Sequence, residues 1–335
     1  MPLSPDQLQA ASTGATLFEL PLQGLILQAD CLPRWINSMF TNKYSDVEPG
    51  QGRRSVIADD RGRVGGLVDW YRLSEERYLG LLEGVDTAAF LTRFQMYLVL
   101  EDIEPEELED MGLLSLQGPQ ADAVLASAGL PLPADDHAHL EDAAGVRVLR
   151  RDRSGLGGVD LLLPQGQVEG LRERLIAGAA AGSAELLEAL RIQAGKAAWP
   201  KDGSEKSMVH ELNLQRECVS FDKGCYLGQE VINRIERVGG VRKRLTRLSV
   251  DGPVAEGATL WAGEDELFPE DFVLKLRVEV GLAVAGEDEV GRLSSVVQVG
   301  EQSLALGTVR ESAWAEGTLL RARDSEQERQ ARVLG

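Results

Sequence analysis

A chain of 335 residues with 43% hydrophobic and 27% charged side chains reads as a soluble globular protein of two or three domains, not a disordered chain. Its formal charge of -19 argues against broad affinity for nucleic acid or anionic membrane, since both carry the same sign. No apolar run reaches the roughly 18 residues of a membrane span, and the N-terminus lacks the basic-then-apolar pattern of a signal peptide, so a cytoplasmic protein with no membrane partner is expected.

The stretch from Ser55 to Tyr71, SVIADDRGRVGGLVDWY, holds two apolar runs separated by Asp59-Asp60-Arg61-Gly62, the composition of a tight turn between paired strands. RYLGLLE from Arg77 extends that sheet, and apolar residues from Asp86 to Leu98 recur at helical spacing behind an Asp86 cap. From Gly112 the order is strand (GLLSLQG), helix with Pro119 at its first position, strand (VRVLR), strand (VDLLLP) and helix (QVEGLRERLIAGA). That order is most of a split β-α-β, ferredoxin-like unit over about 112–200. The glycines of SGLGGVD lie between two strands, which excludes a dinucleotide fingerprint there. A helix from Ala184 to Lys196 follows Ser183 as its cap. Beyond Arg244, short strands broken by Gly and acidic turns (TRLSV, ATLWA, FVLKLRVEVGLAVA, VGRLSSVVQV, SLALGTVR, TLLRAR) predict a small β-barrel or sandwich. The expected division is a region at 1–245, a barrel at 246–325 and a polar tail at 326–335, frayed or disordered.

Cys31, Cys218 and Cys225 are too few and too irregularly spaced for a disulfide framework or a zinc site, so no metal site is assigned. His137 and His139 in DDHAHLED fit a polar loop as well as a metal site. Between Lys223 and Arg247 seven basic residues face two acidic ones, a basic island suited to a carboxylate tail, a phosphate or a short piece of RNA. Inside it stands DKGCYLGQE, Asp222 to Glu230. A thiol reacts as its thiolate, and Lys223 together with a helix starting near Gly228 would favour that anion at Cys225.

The run Lys223-Gly224-Cys225-Tyr226-Leu227-Gly228-Gln229-Glu230 resembles the K-G-C-Y-x-G-Q-E signature of the YgfZ-type folate-binding proteins, relatives of the glycine cleavage T-protein. The likeness extends to Thr41-Asn42, Asp60-Arg61-Gly62-Arg63, LQGPQA, RIQAG at Arg191, ELN at Glu211 and VGRLSS, with an atypical insertion around Glu264 to Asp271. The resemblance implies an α+β fold of three parts around a central opening, with a C-terminal β-barrel. It implies tetrahydrofolate as cofactor and a role in iron-sulfur cluster assembly or repair, with iron-sulfur client or assembly proteins as partners. It carries the functional roles onto Cys225 and Lys223, and folate contacts onto Tyr226, Gln229, Glu230, Arg234 and Asn213.

Two other readings compete. An aminomethyltransferase would transfer a one-carbon unit to tetrahydrofolate; counted from Gly62-Arg63, the acid that T-proteins use falls at Gly66, and Asp69, an odd number of positions on, is expected on the opposite face. An RNA-interaction module would use the island with Tyr226 as a stacking platform, tRNA being the conceivable partner despite the overall charge.

Overall fold

The computed structural model describes residues 2–262 and 288–335, arranged around three sheets. Helix α1 (Pro5–Thr13) begins at a Ser4 cap whose hydroxyl accepts the Gln7 N–H while Gln7 answers to the Ser4 N–H. Strands β1 (Thr16–Leu20) and β2 (Gly24–Gln28) and helix α2 (Leu32–Met39) follow. Next come β3 (Gly52–Ala58), β4 (Val64–Arg72), β5 (Arg77–Glu83), helix α3 (Thr87–Leu100) and β6 (Glu104–Glu107). The expected hairpin and third strand are present, and the Asp86 carboxylate caps α3 by accepting the Ala89 N–H at 2.6 Å. The first sheet runs β3-β4-β5-β2-β6. Val68, Trp70 and Tyr78 on one face join a buried core with Trp35, Ile36, Phe40, Phe90 and Phe94 on the helix side.

The second sheet is built from β7 (Met111–Gln117), helix α4 (Ala121–Ser127), β8 (His139–Glu141), β9 (Arg147–Arg150), β10 (Gly158–Pro164), helix α5 (Val168–Ile176) and β11 (Ala180–Ala181). Its order is β11-β1-β7-β10-β9-β8. The strand that the ferredoxin-like unit still needed comes from the chain's beginning: β1 lies antiparallel to β7. Helix α4 starts at Ala121, two residues after the expected Pro119.

Helix α6 (Ala184–Gln193) keeps its Ser183 cap, and the short α7 (Gln215–Cys218) and α8 (Gln229–Val238) lead into the barrel. Strands β12 (Lys243–Asp251), β13 (Thr259–Ala262), β14 (Asp288–Val299), β15 (Gln302–Arg310), β16 (Leu319–Arg323) and β17 (Glu328–Leu334) close in the order β12-β15-β14-β13-β16-β17. The tail expected to be frayed is therefore corrected: Glu328–Leu334 pairs with both β16 and β12 and turns Ala331 and Val333 into the barrel core. Its polar composition misleads because the outward positions of a strand are free to be charged. The strand expected at 272–285 and the insertion at Glu264 to Asp271 lie outside the described residues. No helix among the described residues is long and apolar enough to cross a membrane.

One carboxylate fastens the barrel to the rest. Asp202, whose side chain is fully buried, accepts Arg191 of α6 at 2.6 Å and the hydroxyls of Ser294 and Ser295 at 2.5 and 2.6 Å. Neighbouring strand residues ordinarily point to opposite faces; a bulge between Leu293 and Ser295 turns both hydroxyls to the same acceptor. The RIQAG and VGRLSS motifs thus meet across a domain boundary. Asp202→Ala removes the buried acceptor shared by Arg191, the Ala198 N–H and two hydroxyls and is expected to cost about 3–5 kcal/mol. Ser294→Ala should cost about 1 kcal/mol. Urea unfolding of the two variants checks both the size and the ranking.

Candidate functional site

The signature segment is seated on the β3–β4 hairpin. Lys223 Nζ donates to the carbonyls of Phe40 and Asn42 at 2.6 and 2.5 Å and lies 4.9 Å from the Tyr226 ring centroid. Its hydrogen bonds go to backbone oxygens and not to the Cys225 thiol, and burial pushes its ammonium down to about 7. Tyr226 is buried with Val56, Val64, Leu67 and Ile232. Gly228 (φ +81°) caps α8, and a Cβ there would stand 2.5 Å from the Asp59 carbonyl oxygen and 2.9 Å from Gly62 Cα. These two motifs therefore require glycine where they cross. Cys225 is exposed, four residues ahead of the first residue of α8, while Cys218 is buried and Cys31 half-buried.

The remaining expected contacts are dispersed. Gln229 Nε2 donates to the Gly224 carbonyl at 3.4 Å, and Glu230 and Arg234 are exposed on α8. Asn213, held in the left-handed region (φ +58°), donates to the Leu245 carbonyl and lines a cleft of about 610 Å³ with Arg216, Arg244 and Arg247. The basic island is divided: Arg244 stacks on Trp314 at 4.3 Å and Arg247 donates to the Gln193 carbonyl.

A denser constellation lies where the first two sheets meet. Arg54 of β3, 3% exposed, donates to Asp69 of β4 at 2.7 Å and to Glu83 of β5 at 2.5 Å. Arg151 approaches the same Asp69 oxygen at 3.4 Å and donates to Glu217 at 3.0 Å. Arg153 grips the buried Asp160 through two nitrogens. Two cavities, of about 440 and 240 Å³, share Arg54, Arg151 and Lys196 in their walls. His137, the residue first weighed as a loop or metal side chain, lines the larger one and turns Nδ1 towards Asp69 Oδ1 at 3.6 Å. His139 instead contacts the Arg72 carbonyl with Nε2. Asp69 Oδ1, His137 Nδ1 and Arg151 Nε are all buried without a hydrogen-bond partner, so unfilled donor and acceptor capacity lies at and just behind the wall made by His137 and Arg151.

Burial alone would raise the Asp69 carboxyl, yet Arg151, Arg54 and His137 outweigh it and hold the group well below the usual carboxylate range. Burial lowers His137, which is thus neutral near pH 7. Asp69 is then a permanent anion and a poor base. It suits the acceptance of an N–H donor or the stabilisation of positive charge.

As the count from Gly62-Arg63 expects, Gly66 and Asp69 lie on opposite faces of β4. Val56 pairs with Leu67 and Ala58 with Val64, so the single residue Ile57 of β3 faces Gly65 and Gly66 of β4 and the strand bulges there. Val64 and Leu67, three apart, consequently join one core cluster. A Cβ on Gly66 would meet Val85 and Ile57 on the helix side, whereas Asp69 faces Arg54 and Arg151 on the opening side. The carboxylate on the opening side is that of Asp69. The sequence signal for this cluster lies in Asp69 and Asp160, which each interrupt an apolar strand, and a charge in such a strand needs a partner.

Comparison with known proteins identifies the family and the fold. The profile of the GCVT N-terminal domain family matches residues 29–223. An aminomethyltransferase of Mycobacterium leprae is 25% identical over 284 residues, 80% of this chain and 75% of the relative. A putative chloroplastic transferase of Arabidopsis thaliana is 23% identical over 325 residues, 89% of this chain and 74% of the relative. The crystal structure of the glycine cleavage system aminomethyltransferase T from Bartonella henselae superimposes with a TM-score of 0.82 at 20% identity, covering 100% of this chain and 90% of that one. That likeness is one of fold.

Exposure ranks the thiols. Burial raises Cys218 strongly, and burial with Glu101 raises Cys31. Iodoacetamide near neutral pH is expected to modify Cys225 about tenfold faster than Cys31, with Cys218 reacting only in denaturant, as read by peptide mass spectrometry. The Asp69 ion pairs add a pH dependence: their contribution is complete above the unfolded value of about 3.9 and is lost as pH falls through the lower folded value. Acid unfolding followed by circular dichroism checks this, and Asp69→Asn should remove that part of the acid dependence.

Proposed function

Because the chain belongs to the GCVT N-terminal domain family, we propose that it binds a reduced folate, tetrahydrofolate, in the cavity at Arg54, Arg151 and Lys196 and transfers a one-carbon unit there in the manner of an aminomethyltransferase. The observation that carries the reading is the Asp69 carboxylate, ionised and buried, with Oδ1 lacking a hydrogen-bond partner. In this proposal Asp69 accepts an N–H of the folate and stabilises the cationic carbon-nitrogen centre that forms as the one-carbon unit moves. Neutral His137 is placed to take up a proton. Lys196 and Arg150, in the wall of the larger cavity, offer positive charge to the glutamate tail. Calorimetry with tetrahydrofolate should give saturable binding, weakened about tenfold or more in Asp69→Asn and unchanged in Cys225→Ser. No saturable binding at millimolar ligand would overturn the proposal.

A second reading, support of iron-sulfur cluster assembly through Cys225, is favoured by the exposure of that thiol within the YgfZ-like signature. One thiol cannot fill four ligand positions, so a client or assembly protein, or a small thiol, would complete the set. Cells carrying Cys225→Ser are expected to lose activity of iron-sulfur enzymes while the purified variant still binds folate. Normal activity of those enzymes would remove this role and leave folate binding standing.

A further inference from the structure

We propose that the groove between α3 and β6 docks a basic amphipathic helix of a partner protein. Helix α3, TAAFLTRFQMYLVL, carries one charge in its fourteen residues and is apolar around its whole circumference. Such a helix belongs in an interior. Its inner side is indeed buried through Phe90, Phe94 and Leu98, but its last turns leave Met96, Val99 and Leu100 at 70, 75 and 75% exposure, with Tyr97 at 41%. Met96, Val99 and Leu100 stand at i, i+3 and i+4, on one face. Beside them a groove of about 520 Å³ is lined by Leu91, Leu98, Val99, Asp102, Ile103 and Pro105 among others. A cluster of exposed apolar residues next to an apolar groove, on a protein otherwise covered in charge, is the signature of an interaction surface.

The neighbouring chain states what kind of partner fits. Glu101 to Asp110, EDIEPEELED, is acidic at seven of ten positions, and its Asp102, Ile103 and Pro105 line the rim of the groove. Among the described residues only Glu101 and Glu106 of these have cationic partners, Arg34 and Arg77. Among the described residues Asp102, Glu104, Glu107, Glu109 and Asp110 form no ion pair, so this acidic segment presents uncompensated negative charge beside an apolar floor. A second copy of this chain would bring two such rims together and is disfavoured by like-charge repulsion. Strand addition is also blocked: β6 is an edge strand, but all four of its residues are exposed, three are glutamates and the other is Pro105, which has no N–H for a ladder. A helix with an apolar stripe flanked by Lys and Arg satisfies floor and rim together.

The test uses the full chain and a synthetic Leu/Lys amphipathic helix of about five turns, followed by fluorescence anisotropy. Wild type is expected to bind this probe and to ignore a Leu/Glu helix of the same length. Val99→Asp with Leu100→Asp, and separately Glu104→Lys with Glu107→Lys, should each weaken binding about tenfold or more. Glu173→Lys with Glu205→Lys, the same charge change elsewhere, should alter it by less than about threefold. Those residues are exposed, so melting curves are expected to match wild type. Absence of binding, or an equal loss in all three variants, overturns the proposal and leaves only general charge attraction. A dimer in sedimentation that disappears in Val99→Asp with Leu100→Asp also overturns it, by making a second copy the occupant.

Discussion

Everything near the opening depends on one buried guanidinium. Arg54 sits between Arg53 and Ser55 of β3 and is 3% exposed, a position that a lone charge could not hold. Asp69 and Glu83 come to it from the next two strands of the same sheet, so the hydrogen-bonded register of β3, β4 and β5 and the charge balance of the cavity are one constraint. Arg151 brings the second sheet into the same network through Asp69. Ion networks of this kind add little net stability over an apolar core of equal volume, but they fail badly when one member is missing. They therefore specify an arrangement more than they strengthen it. The arrangement specified leaves a carboxylate oxygen and an imidazole nitrogen facing each other with capacity unused.

The sequence made the periodic parts readable and the long-range ones opaque. The hairpin around Asp60, the Asp86 and Ser183 caps and the β7-to-α5 unit follow local patterns of alternation, capping and turn chemistry, which the neighbours in space do not have to ratify. Strand β1 was missed because its partner, β7, is nearly a hundred positions away and nothing in TLFEL names it. Parity along β4 separates Gly66 from Asp69 but does not say which face lines the cavity: Gly66 turns to Val85 and Ile57, and Asp69 to Arg54 and Arg151. The signature around Cys225 stood out as a string, yet a string does not separate residues that touch a ligand from residues that fasten a loop. Lys223 and Gly228 are seen fastening one, through the carbonyls of Phe40 and Asn42 and the crossing with Gly62.

That fastening gives the two motifs a shared mechanical meaning. Thr41 accepts the Val56 N–H and donates to the Cys218 carbonyl at 2.6 Å, Asn42 donates to the carbonyls of Arg54 and Glu217, and Lys223 reaches back to Phe40 and Asn42. The segment from Glu217 to Gly228 is thus laced along the outside of β3, the strand that presents Arg54. A change in the loop that bears the exposed thiol has a short covalent and hydrogen-bonded route to the cavity wall, with Asn42 and Glu217 themselves in that wall.

The closure of the barrel sets an order on how the molecule is made. Five of its six strands can be synthesised and still have no complete core, because β12 waits for β17, some eighty residues later, before its second edge is covered. Loop-closure entropy and open strand edges both weigh on that interval. The first two sheets draw all their strands from residues before 182 and can be paired on a growing chain while the barrel is unfinished. Asp202 belongs to neither party during that time: its donor Arg191 is ready when α6 has formed, but Ser294 and Ser295 reach it only afterwards. The ribosome thus delivers the chamber first and its clasp last.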